Sequence, residues 1–327
     1  MTRVLSGIQP SGDVHLGNYL GALAQWVEDQ HEFDSFFCVV DLHALTVPQT
    51  PELLRKNTLE LAQILLAVGL DPDVCTLFVQ SHVPQHTELA WLIQCTTSYG
   101  ELSRMTQFKE KSSDAGFVSA GLFTYPTLMA ADILLYDAER VPVGDDQRQH
   151  LELTRDVAQR FNQRYGETFV VPEAAIPRVA ARVMDLQHPD RKMSKSADSP
   201  MGTVLLLDDE TSIRRKFRRA VTDSGTEVVY DPEQKPGVSN LLGILAALTK
   251  RDPQELARQF DRYAELKDAV ADEVIHTLTP IRKRFLELHD DPERTAKLLA
   301  VGAEKARAVA AETMERAKKA IGLLAAG

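Results

Sequence analysis

The stretch Gln9-Pro10-Ser11-Gly12-Asp13-Val14-His15-Leu16-Gly17-Asn18 decides the fold, because it joins a buried strand to a helix through a short polar turn. The apolar pair Val4-Leu5 precedes this turn, and apolar residues recur at helical spacing from Tyr19 to Val27. A helix that begins near Gly17 directs unpaired backbone N–H groups and the positive end of its dipole at the turn, which suits an anion. The order of strand, turn and helix therefore predicts an α/β fold with a phosphate-sized site after the first strand.

The residue types within the turn support that interpretation. Gly12 and Gly17 let a ligand approach the backbone because they carry no Cβ, and Pro10 stiffens the entry. His15 and Asn18 lie three residues apart, so both can face one ligand and donate neutral hydrogen bonds to phosphate oxygens. An ordinary N-capped helix start explains the same residues equally well, and the turn alone leaves both interpretations open.

A second segment, Arg191-Lys192-Met193-Ser194-Lys195-Ser196, lies between Pro189 and Pro200. The flanking prolines, with Asp and Ser nearby, predict an exposed loop. Two ammonium groups on a mobile loop would hold a polyphosphate at the helix entrance and offset charge on a leaving group. Composition alone favours a solvated basic loop, but a Lys-Met-Ser-Lys-Ser string arises by chance in such a chain with odds on the order of one in ten thousand.

Size and composition bound the class of protein. The chain has 327 residues, 44% hydrophobic and 26% charged, enough for a full core and two domains. After Asp208-Asp209 only helical patterns remain, so we predict an α/β domain at 1–207 and a helical domain at 208–327. No apolar run approaches the length of a membrane span, and no hydrophobic signal segment follows Met1, so we expect a cytoplasmic protein.

Charge and cysteines exclude some functions. The formal net charge of −10 gives no support to general nucleic-acid binding, so any RNA contact must come from local basic faces. The cysteines Cys38, Cys75 and Cys95 lack the spacing of a zinc site, an iron–sulfur cluster or a disulfide framework. We therefore predict buried, reduced thiols and no metal site formed by the protein.

Two further apolar runs, 36–41 and 74–79, have the character of strands covered on both faces. Between them, Thr50-Pro51-Glu52 predicts a helix start and Gly69 its end. Alternating strands and helices imply a right-handed parallel sheet with a ligand crevice at the carboxyl ends of its strands. His43 follows one such strand, and filling the pocket rim is as plausible for it as contacting a substrate.

Several motifs together resemble known families. Residues 192–196 carry the unmodified signature of class I aminoacyl-tRNA synthetases, and His15-Leu16-Gly17-Asn18 is similar to their His-x-Gly-His signature with Asn in the last position. Along essentially the whole chain, the sequence resembles bacterial-type tryptophanyl-tRNA synthetases, through the segments Gly7–Gly12, Gly17–Ala22, Met105–Lys111, Met129–Leu134 and Val143–Gln147.

This resemblance implies a Rossmann-like catalytic domain at 1–207 and an anticodon-binding helical domain at 208–327 of a homodimer. It implies that L-tryptophan is activated with ATP, with Mg²⁺ held through the nucleotide phosphates, and then transferred to tRNA(Trp). The implied catalytic cations are Lys111, Lys192 and Lys195. The implied ATP-binding residues are Gln9, Pro10, Ser11, His15, Gly17, Asn18, Gly144, Asp145, Asp146, Val183, Lys192, Met193, Ser194, Lys195 and Ser196. The implied tryptophan-binding residues are His43, Tyr125, Met129, Asp132 and Gln147.

Asp132 is the most informative of these residues, because it stands within an apolar helical pattern where an ionised carboxylate is costly unless it is paired. A surface or salt-bridged aspartate is the simple explanation. In an amino-acid pocket, however, it would accept the indole N–H of tryptophan while Met129 packs on the ring. Tyr125 and Gln147 match family positions that bind the ammonium group, and 182–184 matches the backbone segment that reads adenine.

Two basic segments are ambiguous. The run 213–220 and the Ala-rich helix predicted at 303–324 could be solvated faces, but the family resemblance favours contact with RNA. Three other functions also stay open: a tyrosyl-tRNA synthetase, a small nucleotidylyltransferase, and a non-catalytic relative that binds tryptophan or a protein partner. The intact lysine segment argues against the last two.

Overall fold

The computed structural model describes residues 1–112, 118–142, 144, 147–175, 182–194 and 200–325, without the side chains of 110–112. Within these residues, five parallel strands form one sheet: β1 Arg3–Ile8, β2 Asp34–Val39, β3 Thr76–Val79, β4 Arg140–Pro142 and β5 Glu173–Ala175. Their order in the sheet is β3-β2-β1-β4-β5. The predicted Rossmann-like α/β class is confirmed. The predicted apolar runs overlap the strands at 36–39 in β2 and 76–79 in β3, whereas Asp41 already begins α3.

Helices surround this sheet. Those before β5 are α1 Leu16–Asn18, α2 Ala24–Glu32, α3 Asp41–Ala44, α4 Pro51–Val68, α5 Gln85–Gln94, α6 Tyr99–Ser103, α7 Thr106–Ser112, α8 Ala120–Leu134 and α9 Arg148–Tyr165. Those after it are α10 Glu210–Arg218, α11 Pro236–Thr249, α12 Pro253–Ala257, α13 Tyr263–His289 and α14 Pro292–Ile321. The predicted helix end at Gly69 is confirmed, since this residue caps α4 with a φ of 120° that favours glycine.

The strand order places a crevice beside β1. Strands β2 and β3 follow β1 to one side, whereas β4 and β5 lie on the other. The order in which the chain adds strands to the sheet therefore changes side at β1, between β1 and β4. In open parallel sheets, ligands bind outside the carboxyl ends of the strands at such a point.

The helices after residue 208 share hydrophobic clusters with the sheet domain. Buried residues of α11 and α13 pack in one cluster with Leu16 and Leu65, and α14 contributes Ala303, Ala306 and Ala310 to a cluster with Phe78 of β3. At Gly302 the backbones approach so closely that an added Cβ would lie 1.8 Å from the carbonyl oxygen of Leu77. Helix α14 thus covers the edge strand of the sheet, and the boundary at 207/208 stays a prediction.

Much of the predicted basic surface pairs within the chain. In α14, Arg316 binds Asp137 at 2.7 Å, Lys318 pairs with Glu88, and Lys305 donates to the carbonyl of Pro72. In α10, buried Lys216 pairs with Asp208, Arg214 with Glu210 and Asp272, and Arg218 with Asp268. These cations are occupied by partners within the chain, so RNA contact through these two segments stays a prediction.

No helix within the described ranges combines the length and the apolar character needed to cross a membrane.

Candidate functional site

The helix entrance after β1 is closed by a reciprocal pair of hydrogen bonds. The ring Nδ1 of His15 accepts from the backbone N–H of Asn18 at 3.3 Å, and the Asn18 side chain accepts from the His15 N–H at 3.1 Å. This is a capping box, so His15 is the N-cap of α1, and ligand binding at the same turn stays a prediction. Because His15 Nδ1 is an acceptor here, a neutral ring carries its proton on Nε2, and the Asn18 oxygen leaves its NH₂ end to donate outward.

The segments on either side of the lysine sequence lie against this entrance. The N–H of Leu16 donates to the Val204 carbonyl at 2.8 Å, and the N–H of Leu206 donates to Val14 at 2.9 Å. A Cβ at Gly17 would lie 3.6 Å from Cβ of Val183, and Val183 accepts from the N–H of Met193 at 3.0 Å. The two sequences predicted to bind one nucleotide are therefore neighbours in the fold.

Within the lysine segment the described side chains differ in exposure. Met193 is buried, whereas Lys192 is exposed and forms no ion pair with a described residue. Ser194 accepts from the hydroxyl of Thr203 through its carbonyl oxygen. Lys195 and Ser196 lie outside the described residues, as do Asp145 and Asp146. Lys111 lies in α7 by its backbone, and its side chain is not described.

A cavity of about 460 Å³ opens between the carboxyl ends of β1 and β4. Among its lining residues are seven that the sequence predicted for ATP or tryptophan: Gln9, His43, Tyr125, Met129, Asp132, Gly144 and Gln147. Leu5, Cys38, Val40, Ile133 and Val141 supply apolar wall. The remaining described candidates for ATP lie at the helix entrance and the lysine segment, outside this lining: Pro10, Ser11, His15, Gly17, Asn18, Val183, Lys192, Met193 and Ser194.

Asp132 is buried in this cavity and accepts three hydrogen bonds from the chain. Its Oδ1 accepts from Gln80 Nε2 at 2.8 Å and lies 2.6 Å from His86 Nδ1, while its Oδ2 lies 2.7 Å from His43 Nε2. Burial alone would raise the pKa of this carboxyl, but the His43 and His86 side chains beside it lower that pKa to about 2. The group is therefore a carboxylate at neutral pH. The expectation that it must be paired is met.

The bond from His86 continues to a second buried group. The Tyr136 hydroxyl lies 2.7 Å from His86 Nε2, and burial raises the pKa of Tyr136 well above its ordinary value. A neutral His86 that donates from Nδ1 to Asp132 must accept at Nε2, so the phenol donates to it. The chain Tyr136–His86–Asp132 thereby fixes the tautomer of the histidine and the orientation of the carboxylate.

Tyr125 lies two turns before Asp132 on α8, and its ring contacts that of His43 edge-on, with 6.3 Å between the ring centroids. Its hydroxyl donates to Gln107 Oε1 at 3.0 Å and lies 2.6 Å from His150 Nε2. Burial raises the pKa of Tyr125 to about 12, so it is a neutral hydrogen-bonding group near pH 7. Nearby, the Ser6 hydroxyl lines the cavity and is buried without a hydrogen-bond partner among the described residues.

Sequence reasoning missed the residues that hold Asp132 and Tyr125: Gln80, His86, Gln107, Tyr136 and His150. Gln80 could have been found, because it stands at the carboxyl end of β3 where site residues collect. Gln107 could also have been found, since it lies within a segment that carries the family resemblance. Nothing local marks His86, which reaches Asp132 from 46 residues away.

Within the described part of the chain, no group of three or more His, Cys, Asp and Glu side chains is placed to hold a metal ion.

Comparison with known proteins defines the class. The sequence pattern of the family described as tRNA synthetases class I (W and Y) matches residues 1–279. The chain belongs to this family.

Relatives that match over their full length are tryptophan enzymes of this family. The chain is 57% identical to a tryptophan–tRNA ligase of Caldanaerobacter subterraneus over 99% of both chains, and 54% identical to one of Streptomyces coelicolor over 99% and 98%. Among solved structures, the tryptophanyl-tRNA synthetase of Mycoplasma pneumoniae superimposes with a TM-score of 0.90 at 38% identity, covering 99% and 98% of the two chains. That of Campylobacter jejuni, complexed with ADP and tryptophan, gives 0.85 at 36% identity over 98% and 100%.

Proposed function

We propose that the protein is a tryptophan–tRNA ligase. The tryptophan carboxylate attacks the α-phosphorus of ATP in line, and pyrophosphate leaves with the displaced bond pair. The resulting tryptophanyl-adenylate then esterifies the terminal adenosine of tRNA(Trp), releasing AMP. Because the carboxylate is already a nucleophile at neutral pH, the first step needs no general base, and the protein contributes positioning and charge stabilisation.

The single observation that carries this function is the buried carboxylate of Asp132 in a cavity beside the helix entrance. A carboxylate offers about four acceptor positions. Three are taken by Gln80, His86 and His43. The remaining position, on Oδ2 beside His43, suits one N–H donor in an apolar ring. Indole has such a donor and phenylalanine has none, so phenylalanine would leave the carboxylate short of a bond and be rejected by about four powers of ten.

The ammonium end of the substrate would meet other, neutral groups of the cavity lining. Tyr125 and Gln147 line the cavity, and we assign them to the tryptophan ammonium. Met129 packs on the indole in this assignment. His43 donates to Asp132 and lines the cavity, and we assign it a contact with the indole ring as well.

The phosphate end is assigned to the entrance and the lysine segment. Gln9, Gly17 and Asn18 hold the nucleotide, with His15 near its phosphates and Val183 at the adenine. Lys111, Lys192 and Lys195 offset charge on the β- and γ-phosphates, and Gly144 to Asp146 bind the ribose. Mg²⁺ would be held through the nucleotide phosphates, where it would neutralise charge on the departing pyrophosphate.

A homodimer is supported by exposed aromatic surface on the helices beside the cavity. Trp91 of α5 is 65% exposed and Tyr99 of α6 is 77% exposed. A second copy of this chain would cover both side chains. Mass measurement in solution tests this, and a Trp91→Glu variant should shift the mass toward a monomer. We place the dimer in the cytoplasm, with tRNA(Trp) as its macromolecular substrate.

The test of function is ATP–pyrophosphate exchange with each of the 20 amino acids. We expect exchange that depends on tryptophan, followed by charging of tRNA(Trp). Exchange that depends on tyrosine would instead identify a tyrosyl enzyme, since a phenol can also donate to Asp132. Tryptophan binding with neither exchange nor charging would identify a non-catalytic relative.

A further inference from the structure

The backbone between Val183 and Leu186 lies between the two nucleotide-binding sequences. On one side Val183 approaches Gly17, and its carbonyl accepts from the N–H of Met193. The N–H of Asp185 donates to the Arg191 carbonyl at 2.8 Å. Any shift of this segment would therefore displace the surface beside the helix entrance and the base of the lysine segment together.

A side chain from the helical part grips this segment. Asn240 of α11 accepts from the Met184 N–H at 2.9 Å and donates from Nδ2 to the Met184 carbonyl at 3.0 Å. The two backbone groups fix which end of the amide is oxygen and which is nitrogen. Asn240 is only 8% exposed, so water does not readily replace either bond.

A second, indirect tether runs through Val221, in the connection between α10 and α11. The N–H of Val221 donates to the Leu186 carbonyl at 2.7 Å. The Val221 carbonyl in turn lies so close to Gly237, in the first turn of α11, that an added Cβ would be 2.2 Å away. Helix α11 thus holds residues 184–186 directly through Asn240 and indirectly through Val221.

We propose that Asn240 is a positioning residue for the nucleotide site, acting through the backbone of Met184. This role presupposes ATP binding at Gly17 and Val183. The amide holds Met184 so that its neighbour Val183 faces the helix entrance at the distance that a nucleotide requires. Tryptophan binding does not depend on this bond, because Asp132 and its three partners lie on α3, α5, α8 and the turn after β3.

The chain offers a matched control in Asn162 of α9. This residue is also 8% exposed, donates to the Phe169 carbonyl at 2.8 Å, and accepts from the N–H groups of Thr168 and Phe169. It clamps a backbone segment in the same way, away from the nucleotide site. Replacing either asparagine with aspartate keeps the acceptor and removes the donor to a backbone carbonyl.

The experiment measures tryptophan-dependent pyrophosphate exchange for the full-length protein and the variants Asn240→Asp and Asn162→Asp. Loss of one buried hydrogen bond that acts on the nucleotide should raise KM for ATP about tenfold in Asn240→Asp, with KM for tryptophan within about twofold of wild type. Asn162→Asp should lower the melting temperature without changing either KM.

The proposal fails if folded Asn240→Asp keeps the wild-type KM for ATP, if both KM values rise together, or if Asn162→Asp gives the same increase. Should Asn240→Asp not fold, Asn240→Ser keeps a small hydroxyl donor and acceptor, and the same split between the two KM values decides. Wild-type exchange tests the function itself, so its absence would be distinguished from a failure of the Asn240 role.

Discussion

In the cavity around Asp132 the polar groups are buried and already bonded, whereas in the lysine segment outside it the Lys192 cation is exposed and makes no ion pair with a described residue. Asp132, His86 and Tyr136 form a connected network that no ligand needs to assemble. The lysine segment is held instead by backbone bonds beside it, such as that from Met193 to Val183. Under the proposed function, a preformed site would therefore choose between amino acids, whereas charge stabilisation would depend on groups that meet the phosphates only when ATP binds.

This difference between the two regions predicts different kinetic effects, on KM for the Asp132 cavity and on kcat for the lysine segment. A preformed acceptor contributes in the ground state and the transition state alike, so its loss appears in KM. A lysine that engages the phosphates only as charge develops contributes to the transition state, so its loss appears in kcat. Each variant below tests whether the two regions keep to these roles.

The largest effect is expected for Lys195→Ala. Removing a cation that stabilises the departing pyrophosphate should lower kcat of adenylate formation about a hundredfold to a thousandfold, with KM for tryptophan unchanged. Pyrophosphate exchange and single-turnover adenylate formation measure this. Lys56→Ala, on the exposed face of α4, removes a comparable charge and should change nothing. An unchanged exchange rate for Lys195→Ala would refute the assignment.

Next is Asp132→Asn, which replaces the acceptor by an amide facing three donors. The loss of a charge-assisted bond should raise KM for tryptophan about thirtyfold or more and leave KM for ATP near its wild-type value. Asp29→Asn, also at a buried aspartate, controls for general destabilisation. An equal rise of KM for ATP would contradict the prediction that Asp132 acts on tryptophan binding independently of ATP binding.

The low pKa of Asp132 predicts a loss of stability in acid. Its folded value of about 2 lies below the ordinary 3.8, so the ionised group stabilises the fold above about pH 4. That contribution, about 2 kcal/mol, disappears as the pH falls from 4 through 2. Urea unfolding across this range should show a smaller loss for Asp132→Asn than for wild type. Equal losses would mean that other carboxylates dominate.

The smallest effect is expected for Tyr136→Phe, which removes only the hydroxyl bonded to His86. Discrimination between tryptophan and its benzothiophene analogue, which lacks the N–H, should fall about threefold, with about 1 kcal/mol of stability lost. Competing exchange with the two amino acids measures the ratio. The control variant Tyr165→Phe, on α9, should leave this ratio unaltered. A loss of stability without a change in the ratio would reduce Tyr136 to a packing role.

Local sequence patterns were sufficient to predict part of this fold. Strands β2 and β3 and helix α4 follow from apolar runs and end signals that lie within a few residues. Asp132 could be singled out because a carboxylate in an apolar helix demands partners. The identity of those partners could not be predicted, since Gln80 and His86 lie about 50 residues away and only the fold brings them in. The cations of α14 were ambiguous for the same reason, because acceptors such as Asp137 and Pro72 are remote in sequence.

The covering of β3 by α14 has a consequence for biosynthesis. About 225 residues separate Leu77 from Gly302, so a ribosome needs about ten to forty-five seconds to deliver the helix after making the strand. During that interval the backbone edge of β3 is open on the nascent chain, and unpaired strand edges invite pairing with other chains. Newly made copies should therefore depend on chaperone protection until the last helix emerges, and translation that stalls before Gly302 should yield aggregating fragments.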